Sequence, residues 1–272
     1  MPEIAEVETV RNVLKKSILH KRIIGVDIYY DKMIEGDVEE FKKCLINNEF
    51  VDIKRVGKWL IFELDNYDLL SHLRMEGKYL YRKPNEKIEK HELVIFNIDD
   101  TFELRYKDTR KFGKMYLINK EDLSKNSPLT KLGLEPWDDN LTINYLKNKY
   151  KNKRLPIKTV LLDQSIITGI GNIYADEILF LSKINPHKKC NELNDKELKL
   201  IIENTKKVLE KAIKEGGTTI RSYTSEEGVS GRFQNNLLVH KRENEKCLVC
   251  NNIIIRDKIG GRSTYYCNKC QK

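Results

Sequence analysis

The 272-residue sequence has no apolar run approaching the ~20 residues of a membrane-spanning helix, which excludes a helical membrane protein. Its N-terminus lacks the apolar core of a secretory signal peptide, so a soluble intracellular protein with reduced thiols is expected. Low-complexity segments and internal repeats are absent, which leaves ordinary globular domains, and the length suits two of them. Neither sign of charge dominates: 50 Lys and Arg against 41 Asp and Glu give a net charge of +9 and a pI near 9.0. That excess favours a polyanionic partner without establishing one. Cysteine is scarce, at six residues, and four of those fall between Cys247 and Cys270. Cys44 and Cys190 stand alone and read as buried or half-buried thiols.

What is present begins with that terminal cluster. Cys247-Leu248-Val249-Cys250 and Cys267-Asn268-Lys269-Cys270 are separated by sixteen residues, the spacing of a four-thiolate tetrahedral zinc site. The alternative, two disulfides, suits an oxidising compartment. Between the pairs, Ile253-Ile254-Ile255 and Thr264-Tyr265-Tyr266 read as two short strands joined at Gly260-Gly261. The turn runs into Arg262, which holds a guanidinium at the tip of the finger and points to nucleic acid.

The chain opens Met1-Pro2-Glu3. Once the initiator methionine is trimmed, Pro2 carries a free secondary amine, and an α-amino group with a pKa of about 7.7–8, against about 10.4 for lysine, has a substantial unprotonated, nucleophilic fraction near neutrality. Condensed with an aldehyde-level carbon it forms an iminium that stays cationic and serves as an electron sink, with Glu3 adjacent to move protons. Pro2 also suits the plain start of a helix. From Ala5 to Ile18 the residues Val7, Val10, Leu14 and Ile18 recur at helical spacing, acids first and Lys15-Lys16 last. Strands are expected at 22–30, 50–56, 58–64, 69–73, 78–81, 92–98, 101–106 and 114–118, which argues a β-sandwich with the first helix alongside. Its corners hold Lys58 after Gly57, the stretch His72 to Gly77 with Met75, and Asp108 to Gly113 with Arg110 and Phe112. A Met and a Phe on neighbouring tips suit a wedge into a base stack, or plain packing.

Pro128 to Pro136 reads as a linker. A helix over 142–152 follows, leading into Lys147, Lys149, Lys151, Lys153 and Arg154, with Lys158 beyond and no acid among them: a solvated face or a phosphate-binding one. A helix from Pro156 to Asp163 and another from Ile173 to Leu181 flank Thr168-Gly169-Ile170-Gly171-Asn172. This is a helix–turn–helix-like unit whose second N-terminus, beside Asn172, can bind phosphate. It is not a dinucleotide fingerprint, since the third glycine and a preceding strand are missing. Asn194 caps a long helix that Gly216-Gly217 stops, and 218–233 is a polar loop, a lid or simply loose.

Together these stretches resemble the formamidopyrimidine-DNA glycosylases over the whole chain. The resemblance is carried by Pro2-Glu3 with Glu6-Val7-Glu8-Thr9, Gly57-Lys58, His72-Leu73 with Met75 and Gly77, Asp108 with Arg110 and Phe112-Gly113, Leu162-Asp163-Gln164 through Gly169 to Tyr174, Gly216 to Thr219, and the finger with Arg262. It implies an α+β fold: an N-terminal helix plus a two-layer β-sandwich (1–132), a helix-two-turns-helix domain (137–235) and a β-hairpin zinc finger (236–272). Implied catalytic residues are Pro2 as nucleophile on C1′, Glu3 as the acid/base that opens the sugar, Lys58 near the scissile sugar, and Arg262 on phosphates and in δ-elimination. Met75, Arg110 and Phe112 are implied to fill the gap left by the extruded base, with Arg110 on the orphan cytosine. His91, Lys153 and Asn172, with His72 and Lys158 as weaker candidates, are implied DNA contacts. Cys247, Cys250, Cys267 and Cys270 are implied to hold one structural zinc ion, and 218–224 to close over the flipped base.

The implied activity is removal of oxidised purines (8-oxoguanine, formamidopyrimidines) from duplex DNA, followed by β,δ-elimination, in a monomer of the bacterial cytoplasm associated with the nucleoid. Base flipping is what such chemistry needs, since a duplex hides the glycosidic carbon. Two rivals are an endonuclease VIII-like enzyme for oxidised pyrimidines and a zinc-finger DNA-binding protein without catalysis. Three positions depart from the family's usual pattern: Ala5 and Thr109 stand where prolines are common, and Glu76 fills a variable slot.

Overall fold

The computed structural model describes residues 2–218, 223–224 and 231–272. They divide into two compact units, one made of residues 1–130 with 216–231 and the other of 131–215 with 232–272.

The first unit starts with α1 (Ile4–Ile18), which buries Ile4, Val7, Val10, Leu14 and Ile18 along one stripe and sets Lys15 and Lys16 at its C-terminal dipole. Strands β1 (Ile23–Ile28) and β2 (Ile34–Glu35) precede a short helix, α2 (Val38–Leu45), capped where the Asp37 carboxylate accepts the Glu40 N–H at 2.7 Å. There follow β3 (Phe50–Val56), β4 (Trp59–Leu64), β5 (Tyr67–His72), β6 (Lys78–Arg82), β7 (Glu92–Ile98), β8 (Phe102–Lys107), β9 (Lys114–Asn119) and the four-residue α3 (Leu123–Asn126).

These strands form two five-stranded sheets, in the orders β1-β7-β8-β6-β10 and β2-β9-β5-β4-β3, where β10 is Tyr223–Thr224. The expected sandwich is present. One apolar core, including Phe50, Phe62, Leu69, Phe96, Leu104 and Val7, Val10, Leu14 and Ile18 of α1, fills the space between the sheets. At on the order of 1.5–3 kcal/mol for each large aliphatic or Phe side chain fully removed from water, this burial is the main force holding the layers. Antiparallel register sets Lys78 opposite Lys107 and Trp59 opposite His72. The segments before β6 and after β8 therefore emerge at neighbouring strand ends.

The second unit contains α4 (Ile143–Tyr150), α5 (Ile157–Leu161), α6 (Asn172–Leu181) and α7 (Asp195–Lys214). Asn194 and Glu197 form the capping box of α7, and the helix stops before Gly216 and Gly217, with φ of +74° and +79°. The finger hairpin pairs β11 (Ile255–Ile259) with β12 (Arg262–Tyr266). Its first strand thus lies later than expected: Ile253 makes only an isolated bridge to Lys246, and Ile254 is buried against Phe180 and Val239 instead. Gly260 and Gly261, at φ of +54° and +78°, make the two-residue turn.

Candidate active site

At the start of α1, Pro2 and Glu3 are both buried, Glu3 with 1% of its surface exposed. Glu3 has extended backbone, and its N–H donates to Glu6 Oε2 at 2.9 Å, so the capping carboxylate comes from within the first turn. The other oxygen of the same carboxylate accepts the Thr218 N–H at 2.8 Å and the Thr218 hydroxyl at 3.1 Å. A β-carbon at Gly217 would lie 2.6 Å from it. Glu6 therefore ties the N-terminal end of the chain to Thr218, the residue before 219–222. The expectation that 218–224 closes over a base falls on residues 219–222, which lie outside the described residues.

Lys58 closes the two-residue β3–β4 turn that Gly57 opens, and the Gly57 φ of +56° favours a residue without a side chain. The largely buried Arg55 guanidinium fixes this turn to α1: its Nε donates to Glu8 Oε2 at 2.8 Å and its Nη1 to the Gly57 carbonyl at 3.0 Å. On the next strand His72 lies edge-on to Trp59, ring centroids 4.7 Å apart, and its Nδ1 accepts the Arg74 N–H at 3.0 Å. Burial, then the charges of Arg74 and Lys58, depress its pKa to about 3. His72 is consequently a neutral imidazole near pH 7. Against a phosphate it can offer a ring N–H and no cation.

Two corners carry the residues expected to act as a wedge. The first, Leu73 to Gly77, is closed by the Gly77 N–H donating to the Leu73 carbonyl at 2.9 Å, and it presents half-buried Met75. The second is built on buried Asp108, whose carboxylate accepts the N–H groups of Arg110, Phe112 and Gly113 at 3.0, 2.9 and 2.8 Å. It leaves Phe112 50% exposed with the Arg110 guanidinium 4.7 Å from its ring centre. His91, at φ +72°, has its carbonyl bound by the Asp108 N–H at 3.0 Å. The loop leading to it hangs on fully buried Arg105, which binds Glu92 at 2.8 Å, Glu103 at 2.6 Å, and the carbonyls of Glu86 and Lys87 at 2.7 and 3.2 Å.

In the second unit, Asn172 begins α6 and its side-chain amide donates to the Ser263 carbonyl at 2.8 Å, next to exposed Arg262. The finger's turn packs closely here, since a β-carbon on Gly260 would lie 2.8 Å from the Thr159 hydroxyl. Lys153 is partly exposed and pairs with Asp163 at 3.5 Å. Lys158 differs from the solvated cation its sequence neighbourhood suggests. It is 0% exposed, and its ammonium donates to Asp176 at 2.6 Å and to the Asn172 carbonyl at 2.8 Å. The other Asp176 oxygen meets His240 Nδ1 at 2.7 Å. Neighbouring Glu177 accepts the N–H groups of Leu238, Val239 and His240 at 2.8, 3.1 and 2.9 Å. This buried group braces the turn that presents Asn172 and leaves Lys158 no surface with which to touch a phosphate.

The four clustered cysteines have their sulfurs within 4.8 Å of one another, with pairs at 3.9 and 3.4 Å. A tetrahedral zinc with Zn–S near 2.3 Å needs sulfurs about 3.8 Å apart, so the set fits one ion. Each pair has a knuckle's backbone: the Asn251 N–H donates to Cys247 O, and the Gln271 N–H to Cys267 O, both at 2.9 Å. The site is structural, with four protein ligands and no open position.

Three parts of the chain match known families in order. Residues 1–115 match the formamidopyrimidine-DNA glycosylase N-terminal domain, 132–224 the H2TH domain of the same glycosylases, and 244–272 the zinc finger found in FPG and IleRS. The chain belongs to the formamidopyrimidine-DNA glycosylase family. The formamidopyrimidine-DNA glycosylase of Oceanobacillus iheyensis is 44% identical over 273 residues, covering 100% of this chain and 98% of that protein. The Fpg of Lactococcus lactis is similar in structure over 100% of both chains. Its complex with abasic-site DNA gives a TM-score of 0.93 at 37% identity. A mutant of it with DNA containing Fapy-dG gives 0.94, and the wild type with oxidised-pyrimidine DNA 0.92, both at 38% identity. Membership makes the chain a DNA glycosylase of base-excision repair with lyase activity at abasic sites.

Sequence motifs pointed to the candidate residues but not to what holds them in place. Arg55, Arg105, Asp176 and His240 were not singled out, and Glu6 was given no role of its own. Glu6, within the Glu6-Val7-Glu8 motif and at capping-box spacing from Glu3, carried the one local signal among them.

Proposed function

We propose that this enzyme extrudes and removes oxidised purines, 8-oxoguanine and formamidopyrimidines, from duplex DNA and then cuts the strand by β,δ-elimination. The observation that carries the reading is the pairing of Pro2 with Glu3 at a buried helix start anchored by Glu6. With Met1 removed, the Pro2 nitrogen attacks C1′ and the damaged base departs. Glu3 supplies the proton that opens the sugar at O4′, leaving an iminium between Pro2 and C1′. Because that nitrogen is secondary, the iminium keeps its charge. It accepts electrons as a C2′ proton is lost and the 3′ phosphate leaves, and again as a C4′ proton is lost and the 5′ phosphate leaves. Lys58 is assigned to the reacting sugar and phosphates, and Arg262 to phosphate binding and the second elimination.

Met75, Arg110 and Phe112 fill the vacated stack, with half-exposed Phe112 as the wedge and Arg110 hydrogen-bonding the orphan cytosine. Unstacking costs a few kcal/mol, least for a damaged base, and the wedge offsets part of it. His91, Lys153 and Asn172 bind the DNA backbone, and neutral His72 contributes an N–H. Lys158 acts through the Asn172 turn. The setting is the cytoplasm. The L. lactis relative was also captured with an oxidised pyrimidine, which makes such lesions a second substrate class to measure. Matched duplexes carrying 8-oxoguanine or thymine glycol test the reading. Faster cutting at 8-oxoguanine, leaving phosphate on both sides of a one-nucleotide gap, is expected; preferential cutting at the glycol overturns it.

A further inference from the structure

The two corners that carry the wedge are joined twice. Below the surface, the Tyr106 hydroxyl sits between them: a β-carbon at Gly77 and one at Gly113 would each lie 2.0 Å from that oxygen. Tyr106 is fully buried, and its hydroxyl has no hydrogen-bond partner among the described residues. Only glycine lets both corners close on this one ring. At the rim, the Thr109 hydroxyl donates to the Glu76 carboxylate across 33 residues of sequence. Both side chains are exposed, and they flank Met75 on one tip and Arg110 on the other.

We propose that the Glu76–Thr109 hydrogen bond latches the Met75 tip to the Arg110–Phe112 tip, making these two residues positioning residues that set discrimination of the base opposite the lesion. The inference rests on the wedge reading above. The Asp108 carboxylate orders the second corner internally, and the β6–β8 register and Tyr106 fix its base. Neither restrains the rim against lateral drift, and Thr109 has no ring to fix its φ. The latch supplies that restraint. Discrimination depends on it because a guanidinium offers donors only. Cytosine presents O2 and N3 acceptors to a correctly held Arg110, whereas adenine presents its N6 amine, a donor that a fixed Arg110 rejects. A tip free to slide finds adenine's remaining acceptors and loses the distinction.

The test is binding to duplexes holding a tetrahydrofuran abasic analogue, which cannot form an iminium, opposite cytosine or adenine. Glu76→Ala and Thr109→Val should each lower the cytosine-over-adenine affinity ratio by roughly 3- to 10-fold, the range of one lost hydrogen bond. The double variant should lose no more than either single, because both act through one bond. Glu76→Gln and Thr109→Ser keep an acceptor and a donor and should retain the wild-type ratio. The ratio separates the latch from charge, since removing a carboxylate strengthens binding to both duplexes alike. An unchanged ratio in both single variants, losses that multiply in the double, or a wild-type protein blind to the opposite base would each overturn the proposal. Cleavage at 8-oxoguanine, measured separately, reports on the proposed function.

Discussion

Replacing Glu6 by Ala removes the acceptor for three donors at once: the Glu3 N–H, the Thr218 N–H and the Thr218 hydroxyl. Glu6 is 3% exposed, so water replaces it poorly. A buried donor left unsatisfied costs about 1–3 kcal/mol, and the lost helix cap is already one of the three. Allowing water to reach part of the cavity, the net loss is about 3–5 kcal/mol. At about 2–4 °C per kcal/mol for a unit of this size, the first unit should melt on the order of 10 °C lower. Glu6→Gln discriminates further, because its amide carries one acceptor and one donor where the site supplies donors on both sides. Calorimetry gives the melting shift, and single-turnover cutting of a lesion duplex gives the chemical step. The chemistry should suffer more than stability alone explains, since the same carboxylate orients Glu3. Glu6→Gln melting and cutting like the wild type would refute the reasoning.

Lys153→Met should lower the slope of log binding constant against log salt by roughly 0.9, one phosphate's share, while Lys158→Met leaves that slope alone. Instead Lys158→Met should destabilise the second unit by roughly 3–5 kcal/mol in urea, because Asp176 then stays buried without its cation. The opposite pattern would return Lys158 to the DNA surface. His72 has a folded pKa of about 3 against an ordinary 6.5, so between those values the unfolded chain binds the extra proton and stability rises with pH. From pH 7 to pH 5 this group alone removes about 2 kcal/mol, and His72→Asn should shrink the wild-type difference by that amount. An equal pH dependence in both proteins would sink the assignment. Chelating zinc, or Cys250→Ser, should unfold the finger around Ile254 and weaken DNA binding, with the sandwich's transition unmoved. Unchanged binding would tell against a structural ion.

The sandwich was readable because its strands alternate or run apolar between clear turns; 50–56 and 92–98 coincide with the observed strands. Helix α2 was missed because eight residues with one buried pair, Phe41 and Leu45, give periodicity little to work on. Only the Asp37 cap announces it. The hairpin's first strand was placed early because Ile253-Ile254-Ile255 looks like a strand. Tertiary burial of Ile254 and the metal knuckle decided otherwise. Within the site, the residues proposed to meet DNA or carry chemistry stand in recognisable motifs. Their supports do not: Glu6 meets Thr218 across 212 positions, and Asp176 meets His240 across 64. A lysine run reads as solvated whether or not one member turns inward, and Lys158 does so because a carboxylate on another helix awaits it.

The most direct test reduces the reaction with borohydride while the enzyme holds an 8-oxoguanine duplex, then maps the trapped adduct by peptide mass spectrometry. The account predicts one covalent attachment through the nitrogen of Pro2, on a peptide that begins at that residue. An adduct on a lysine, or full activity in protein whose first peptide still carries Met1, would contradict it.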